Sequence, residues 1–121
     1  MKGLIIKDPW LTKILNGEKV WEIRGRNTNI RGTIALIKSG TGMIHGSINL
    51  VDAFRMSLND YELNREKHQI QSYGHAGFVY YSTPWVWELE NPKLYPEPIP
   101  YKHPQGAVIW VNLDNAVIYD R

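Results

Sequence analysis

The segment Lys7–Arg24 changes its hydrophobic period partway along, and that change dictates a short helix running into a strand. Trp10, Leu11, Ile14 and Leu15 recur at the three-to-four spacing that lays one side of a helix on a sheet. Asp8 offers an acceptor to the free amides at the helix start. Pro9 suits the first helical position, where no amide is needed, and Gly17 after Asn16 supplies the positive φ that ends the run. A helix of about two turns results.

From Lys19 the period is two, the mark of a strand. In an ideal strand Val20, Glu22 and Arg24 share one face while Lys19, Trp21 and Ile23 share the other. Charge on both faces admits two readings. Either these are solvated ion pairs worth under about 1 kcal/mol, or a bulge or twist turns Lys19 and Glu22 onto a common hollow beneath the helix.

The rest of the chain reads largely as strands. Gly3–Lys7 is an apolar run expected to be a buried, central strand. Gly25–Gly32, rich in Asn and Arg, is a loop that projects Arg26 and Arg31 beside the end of the Lys19–Arg24 strand. Thr33–Lys38 and Met43–Asp52 form a hairpin through the turn Ser39–Gly42, with Gly46 marking a bulge or a close backbone approach. That turn is no Walker loop, because no Gly-Lys-Ser/Thr opens a helix after it.

Ser57–His68 is expected as one helix with a capping box between Ser57 and Asp60, and with Leu58, Tyr61 and Arg65 toward the core. Glu62 and Glu66, one turn apart, read either as a solvated strip or as a pair of general acids. Gln69–Gly77 is a connector able to close over a cleft, and Phe78–Glu90 is strand, ended by Asn91 and Pro92. Five of the seven prolines fall between Pro92 and Pro104, so that stretch should run extended as a wrap with little ladder pairing. Gly106–Leu113 is expected as a final buried strand, and Ala116–Tyr119 as a short edge or a loose end.

At 121 residues one domain, 1–121, is expected. The absence of cysteine excludes disulfides and thiolate metal sites and suits a reducing, cytoplasmic setting. No leader-like or membrane-spanning apolar run is evident. His45, His68, His75 and His103 lack ligand spacing, so neither metal nor cofactor is expected. Net charge is only +2, yet Lys19, Arg24, Arg26 and Arg31 fall within thirteen positions relieved by Glu22 alone. That cluster is either a phosphate-facing patch or a solvated face. Five Trp and seven Tyr supply core mass, stacking platforms for bases, or both.

Pro9-Trp10 followed by Gly17-x-Lys19-x-x-Glu22-x-Arg24 resembles the signature of the ASCH domain, a relative of the PUA domain of RNA-modifying proteins. Gly46–Asp52, Trp85-x-Trp87-x-Leu89 with Pro96 and Pro98, and Gly106–Trp110 resemble later strands of that family. The resemblance implies an α+β fold, a small PUA-like mixed β-barrel with two main helices packed against it. It further implies an RNA-associated module. Some members are enzymes, among them amidohydrolases acting on acetylcytidine and a ribonuclease.

In the amidohydrolases the lysine of the Gly-x-Lys segment is catalytic, which falls on Lys19; a threonine three places on is Glu22 here, and a further glutamate falls near Glu62 or Glu66. The expected site therefore has Lys19 and Glu22 as catalytic residues. Lys7, Pro9, Trp10, Arg24, Arg26 and Arg31 are expected to bind substrate or nucleic acid. A lysine beside a carboxylate in a cleft serves as nucleophile or base when desolvation wins, and as a holder of phosphate or oxyanion when it stays charged. The expected partner is RNA or a modified nucleoside, with no membrane and with the chain a monomer or weak homodimer. A recognition module without turnover, with Trp10 stacking on a base, and a protein-interaction domain using the proline-rich wrap are the alternatives.

Overall fold

The β-branched and aromatic runs become strands and the punctuated 3–4 patterns become short helices in the computed structural model, which describes residues 1–70 and 81–114. In chain order these are β1 (Lys2–Ile6), α1 (Trp10–Leu15), β2 (Trp21–Arg24), β3 (Gly32–Lys38), β4 (Met43–Arg55), α2 (Leu58–Leu63), α3 (Arg65–His68), β5 (Trp85–Pro100) and β6 (Trp110–Asn112). The strands form one sheet ordered β2-β5-β4-β3-β1-β6, in which β1 runs parallel to β3 and the other neighbours are antiparallel. This mixed sheet makes a half-barrel carrying a few short helices, the α+β architecture expected of the sequence.

The bend depends on Gly46. A Cβ there would strike the carbonyl oxygen of Lys93 and lie 2.6 Å from Leu15 Cδ2, so only a glycine lets β4, β5 and α1 come this close. The β4–β5 register slips between Ile44 and Gly46 and again further along, and such slips increase local twist. Against the resulting concave face α1 buries Leu11, Ile14 and Leu15 among Leu4, Leu36, Leu50 and Trp87. Each such side chain contributes roughly 1.5–3 kcal/mol by leaving water. A second cluster, with Trp21, Tyr61, Ile70 and Val86, ties α2 and the residues after α3 to β2.

Four expectations are corrected. First, β5 does not stop at Asn91 and Pro92 but continues to Pro100, with Ser47 opposite Lys93 and Ile44 opposite Ile99. Asn91 turns through the strand with φ 56°. Pro96, Pro98 and Pro100 recur every second residue, which puts their missing amides on one edge, while Tyr101, in the other phase, donates its N–H to the Gly42 carbonyl at 3.1 Å. The proline-rich stretch is thus a strand of the sheet and not an unpaired wrap.

Second, the last strand is only Trp110–Asn112, at the sheet edge beside β1; Gly106 at φ 85° sits in a turn before it, and Val108 is 77% exposed. Third, the helix expected over Ser57–His68 is two helices broken at Asn64, whose side chain donates to the Asp60 carbonyl and competes with the backbone there. Its capping box is present, but Leu58 points to water at 58% exposure while Tyr61 is buried. Fourth, α1 begins at Trp10 with Pro9 as its cap and not its first residue; Asp8 does, as expected, accept from an amide at the helix start, that of Thr12, and from the Thr12 hydroxyl as well.

His75, the segment Ser72–Gly77, the strand start expected at Phe78 and the stretch Ala116–Tyr119 lie outside the described residues. Among the described residues no helix is long and apolar enough to cross a membrane.

Candidate functional site

The turn after α1 decides the geometry of the charged cluster. Gly17, at φ 88°, reverses the chain, and the Lys19 amide donates back to the Lys13 carbonyl at 3.0 Å. Lys19 is therefore still tied to the helix end, and β2 begins only at Trp21. Strand alternation does not govern Lys19, so its side chain is free to meet that of Glu22. Nζ lies 3.8 Å from Glu22 Oε1, with the two side chains 1% and 8% exposed.

Lys19 is held by more than Glu22. Its Nζ donates to the His68 carbonyl at 2.5 Å and lies 4.8 Å from the Trp10 ring centre. Burial pushes its pKa down from 10.5 to about 8; the Glu22 charge opposes that shift, while Arg24 and Lys13 add to it.

Arg24 lies two residues beyond Glu22 on the same face of β2. It donates Nε to Glu22 Oε2 at 2.7 Å and a terminal nitrogen to the Ile5 carbonyl at 3.1 Å, and its guanidinium stands 5.6 Å from the Trp87 ring. One carboxylate thus faces an ammonium with one oxygen and a guanidinium with the other.

These groups floor a cavity of about 340 Å³. Lys7 lines it from the β1–α1 connection, Trp10 from the first turn of α1, Ser39 from just after β3, and Ile70 and Tyr81 complete the wall. Of the expected site residues, Lys7, Trp10, Lys19, Glu22 and Arg24 come together there. Pro9 is exposed and outside the lining. Arg26 also points away, contributing instead its backbone carbonyl to Trp87 Nε1 at 3.0 Å. Arg31 donates to the Thr28 and Ile30 carbonyls and lies 3.9 Å from Asp52. Neither Glu62, paired with Arg65 at 3.1 Å, nor exposed Glu66 lines the cavity. No cluster of three metal-ligating side chains occurs among the described residues.

The sequence matches the ASCH domain family over residues 4–102. This chain belongs to the ASCH family.

Its ASCH fold is similar to crystal structures of ASCH from Zymomonas mobilis. One of these has TM-score 0.63 at 14% identity, over 81% of this chain and 69% of that one. A serine-to-alanine mutant of the same protein gives TM-score 0.64 at 14% identity, covering 81% and 70%. A tyrosine-to-phenylalanine mutant gives 0.62 at 16% identity, covering 93% and 76%. No curated protein sequence matches. In this ASCH domain the signature glycine ends α1, and the Lys, Glu and Arg after it are the charged floor of the cavity.

Three contributors to the ASCH cavity are not named by any local sequence pattern. His68 is fully buried, stacked on Tyr61 at 4.7 Å. Its Nδ1 accepts from the Ile70 amide at 3.0 Å, which leaves the ring proton on Nε2 to donate to the Tyr61 carbonyl at 2.8 Å. Burial pushes its pKa down, so the ring is neutral and rigid, and the carbonyl it anchors is the one that receives Lys19. Tyr81 packs over Gly25, where a Cβ would come within 2.6 Å of its ring, so that glycine was a signal, though not one that names its partner. Ser39 is adjacent to Lys7 only through the β1–β3 pairing.

Proposed function

We propose that this ASCH protein takes an acylated nucleoside, free or within RNA, into the cavity beside Trp10 and hydrolyses its amide with Lys19 and Glu22. The observation that carries the reading is the desolvated Lys19 amine, held near pKa 8 and 3.8 Å from a carboxylate on the floor of the cavity. At pH 7 roughly a tenth of such an amine is neutral. The neutral amine takes a proton from water as that water attacks the acyl carbonyl, and the ammonium so formed returns the proton to the departing amine. Glu22 steadies the ammonium, and Arg24 donors lie on the same floor to polarise the carbonyl oxygen. Trp10 offers a face on which a base stacks.

One contact favours a second reading. The 2.5 Å hydrogen bond from Lys19 to the His68 carbonyl suits an ammonium, and an ammonium there holds a phosphate or oxyanion without turnover. Incubation with N4-acetylcytidine and with short single-stranded RNA separates the two. Release of cytidine, abolished in Lys19→Ala, supports hydrolysis, and cleavage of the RNA would redirect it to the phosphodiester. Salt-sensitive RNA binding without turnover supports recognition alone. Absence of both turnover and binding overturns both.

A further inference from the structure

We infer that Lys7 and Ser39 together form a phosphate seat at the cavity mouth, so that the cavity prefers a nucleotide over the bare nucleoside; this rests on the base-binding reading above. The parallel pairing of β1 with β3 places the two side by side. Ile6 stands opposite Lys38, and the Ser39 amide carries the ladder one step further by donating to the Ile6 carbonyl at 2.9 Å. Lys7 and Ser39 are the residues that follow, and both line the cavity.

Among the described residues neither the Lys7 ammonium nor the Ser39 hydroxyl has a hydrogen bond or ion pair. The other charges nearby are already matched. Lys38 meets Asp8 at 3.4 Å, Arg24 holds Glu22 at 2.7 Å, and Lys19 is bonded to the His68 carbonyl. Among the described residues the cavity wall therefore carries three cations, Lys7, Lys19 and Arg24, against the single carboxylate of Glu22. A neutral nucleoside leaves that excess uncompensated, whereas a phosphate supplies the missing negative charge and accepts from both the ammonium and the hydroxyl. Lys7 is exposed, at the opening, while Lys19 and Glu22 are buried at the floor. A base would lie inward and its phosphate outward.

The test is calorimetric titration of the whole chain with cytidine, cytidine 5′-monophosphate, ribose 5-phosphate and a cytidine-containing dinucleotide. Wild type is compared with Lys7→Gln, Ser39→Ala and the double variant. The monophosphate is expected to bind about tenfold more tightly than cytidine, the size of one charge-assisted contact. In the double variant that ratio is expected to fall below about threefold. Preference for the monoester dianion points to free nucleotide, and preference for the dinucleotide to a nucleotide within a strand; either supports the seat when the substitutions remove it. Equal binding of cytidine and its monophosphate overturns the seat and leaves the base-binding reading standing, as does a phosphate advantage that survives both substitutions. Variant-sensitive binding of ribose 5-phosphate without binding of cytidine supports the seat and overturns the base-binding reading. Binding by none of the four overturns both.

Discussion

Lys19 Nζ lies 3.8 Å from the Glu22 carboxylate, although residues three apart point to opposite sides of a strand. They meet because the Lys19 amide is bound to the end of α1 and only Glu22 belongs to β2. The helix stop at Gly17 is therefore as much a part of the site as the charged groups are.

Replacing Lys19 should separate chemistry from stability. Glu22 keeps its 2.7 Å contact with Arg24 when Lys19 is removed, and an apolar side chain avoids the desolvation penalty of a buried ammonium. Lys19→Met leaves the His68 carbonyl without its donor, so it is expected to fold with Tm lowered by no more than about 5 °C and to lose all turnover of acylated nucleoside. Thermal unfolding with a product assay checks both.

Removing the guanidinium should cost more. Arg24→Met leaves the nearly buried Glu22 carboxylate with only the longer Lys19 contact and the Ile5 carbonyl without that donor. A loss of about 2–3 kcal/mol is expected in urea unfolding.

The depressed Lys19 pKa fixes the sign of an alkaline effect. Between about 8 and 10.5 the unfolded lysine carries a proton that the folded one has released, so stability should rise with pH across that window. The rise is expected in the difference between wild type and Lys19→Met, which cancels other titrations. Turnover should climb through pH 8 and then level.

On the acid side His68 sets the sign. Its folded pKa lies below the ordinary 6.5, so the unfolded state takes up a proton first and stability should fall as pH drops through and below 6.5. His68→Asn, whose side-chain oxygen replaces Nδ1 as acceptor for the Ile70 amide, should remove this component in pH-dependent unfolding and shift the pH profile of turnover, because the carbonyl that receives Lys19 moves.

A methyl group at position 46 should cost more than one on an ordinary strand. Gly46→Ala drives Cβ against the Lys93 carbonyl and Leu15, and a loss of about 2–3 kcal/mol is expected from chemical denaturation.

Much of this was legible in the residues. Gly17 as a helix stop, the β3–β4 hairpin, the Gly46 bend and the grouping of Lys19, Glu22 and Arg24 follow from punctuation, period and the family signature. The length of β5 did not, because prolines read as strand breakers unless their missing amides are known to face an unpaired edge. His68 was hidden for a different reason: it acts through its own carbonyl on a lysine 49 positions away, a link that no local spacing encodes. Arg26 and Arg31 were grouped with the site by proximity along the chain, but the loop turns their side chains outward.

Arg24 also ties β2, at one margin of the curled sheet, to the Ile5 carbonyl of β1 near the other margin. It works as a clasp across the open seam of the half-barrel, on the floor of the cavity. Any ligand that draws the guanidinium toward itself must loosen that clasp, so occupancy and the breathing of the seam become two readings of one equilibrium.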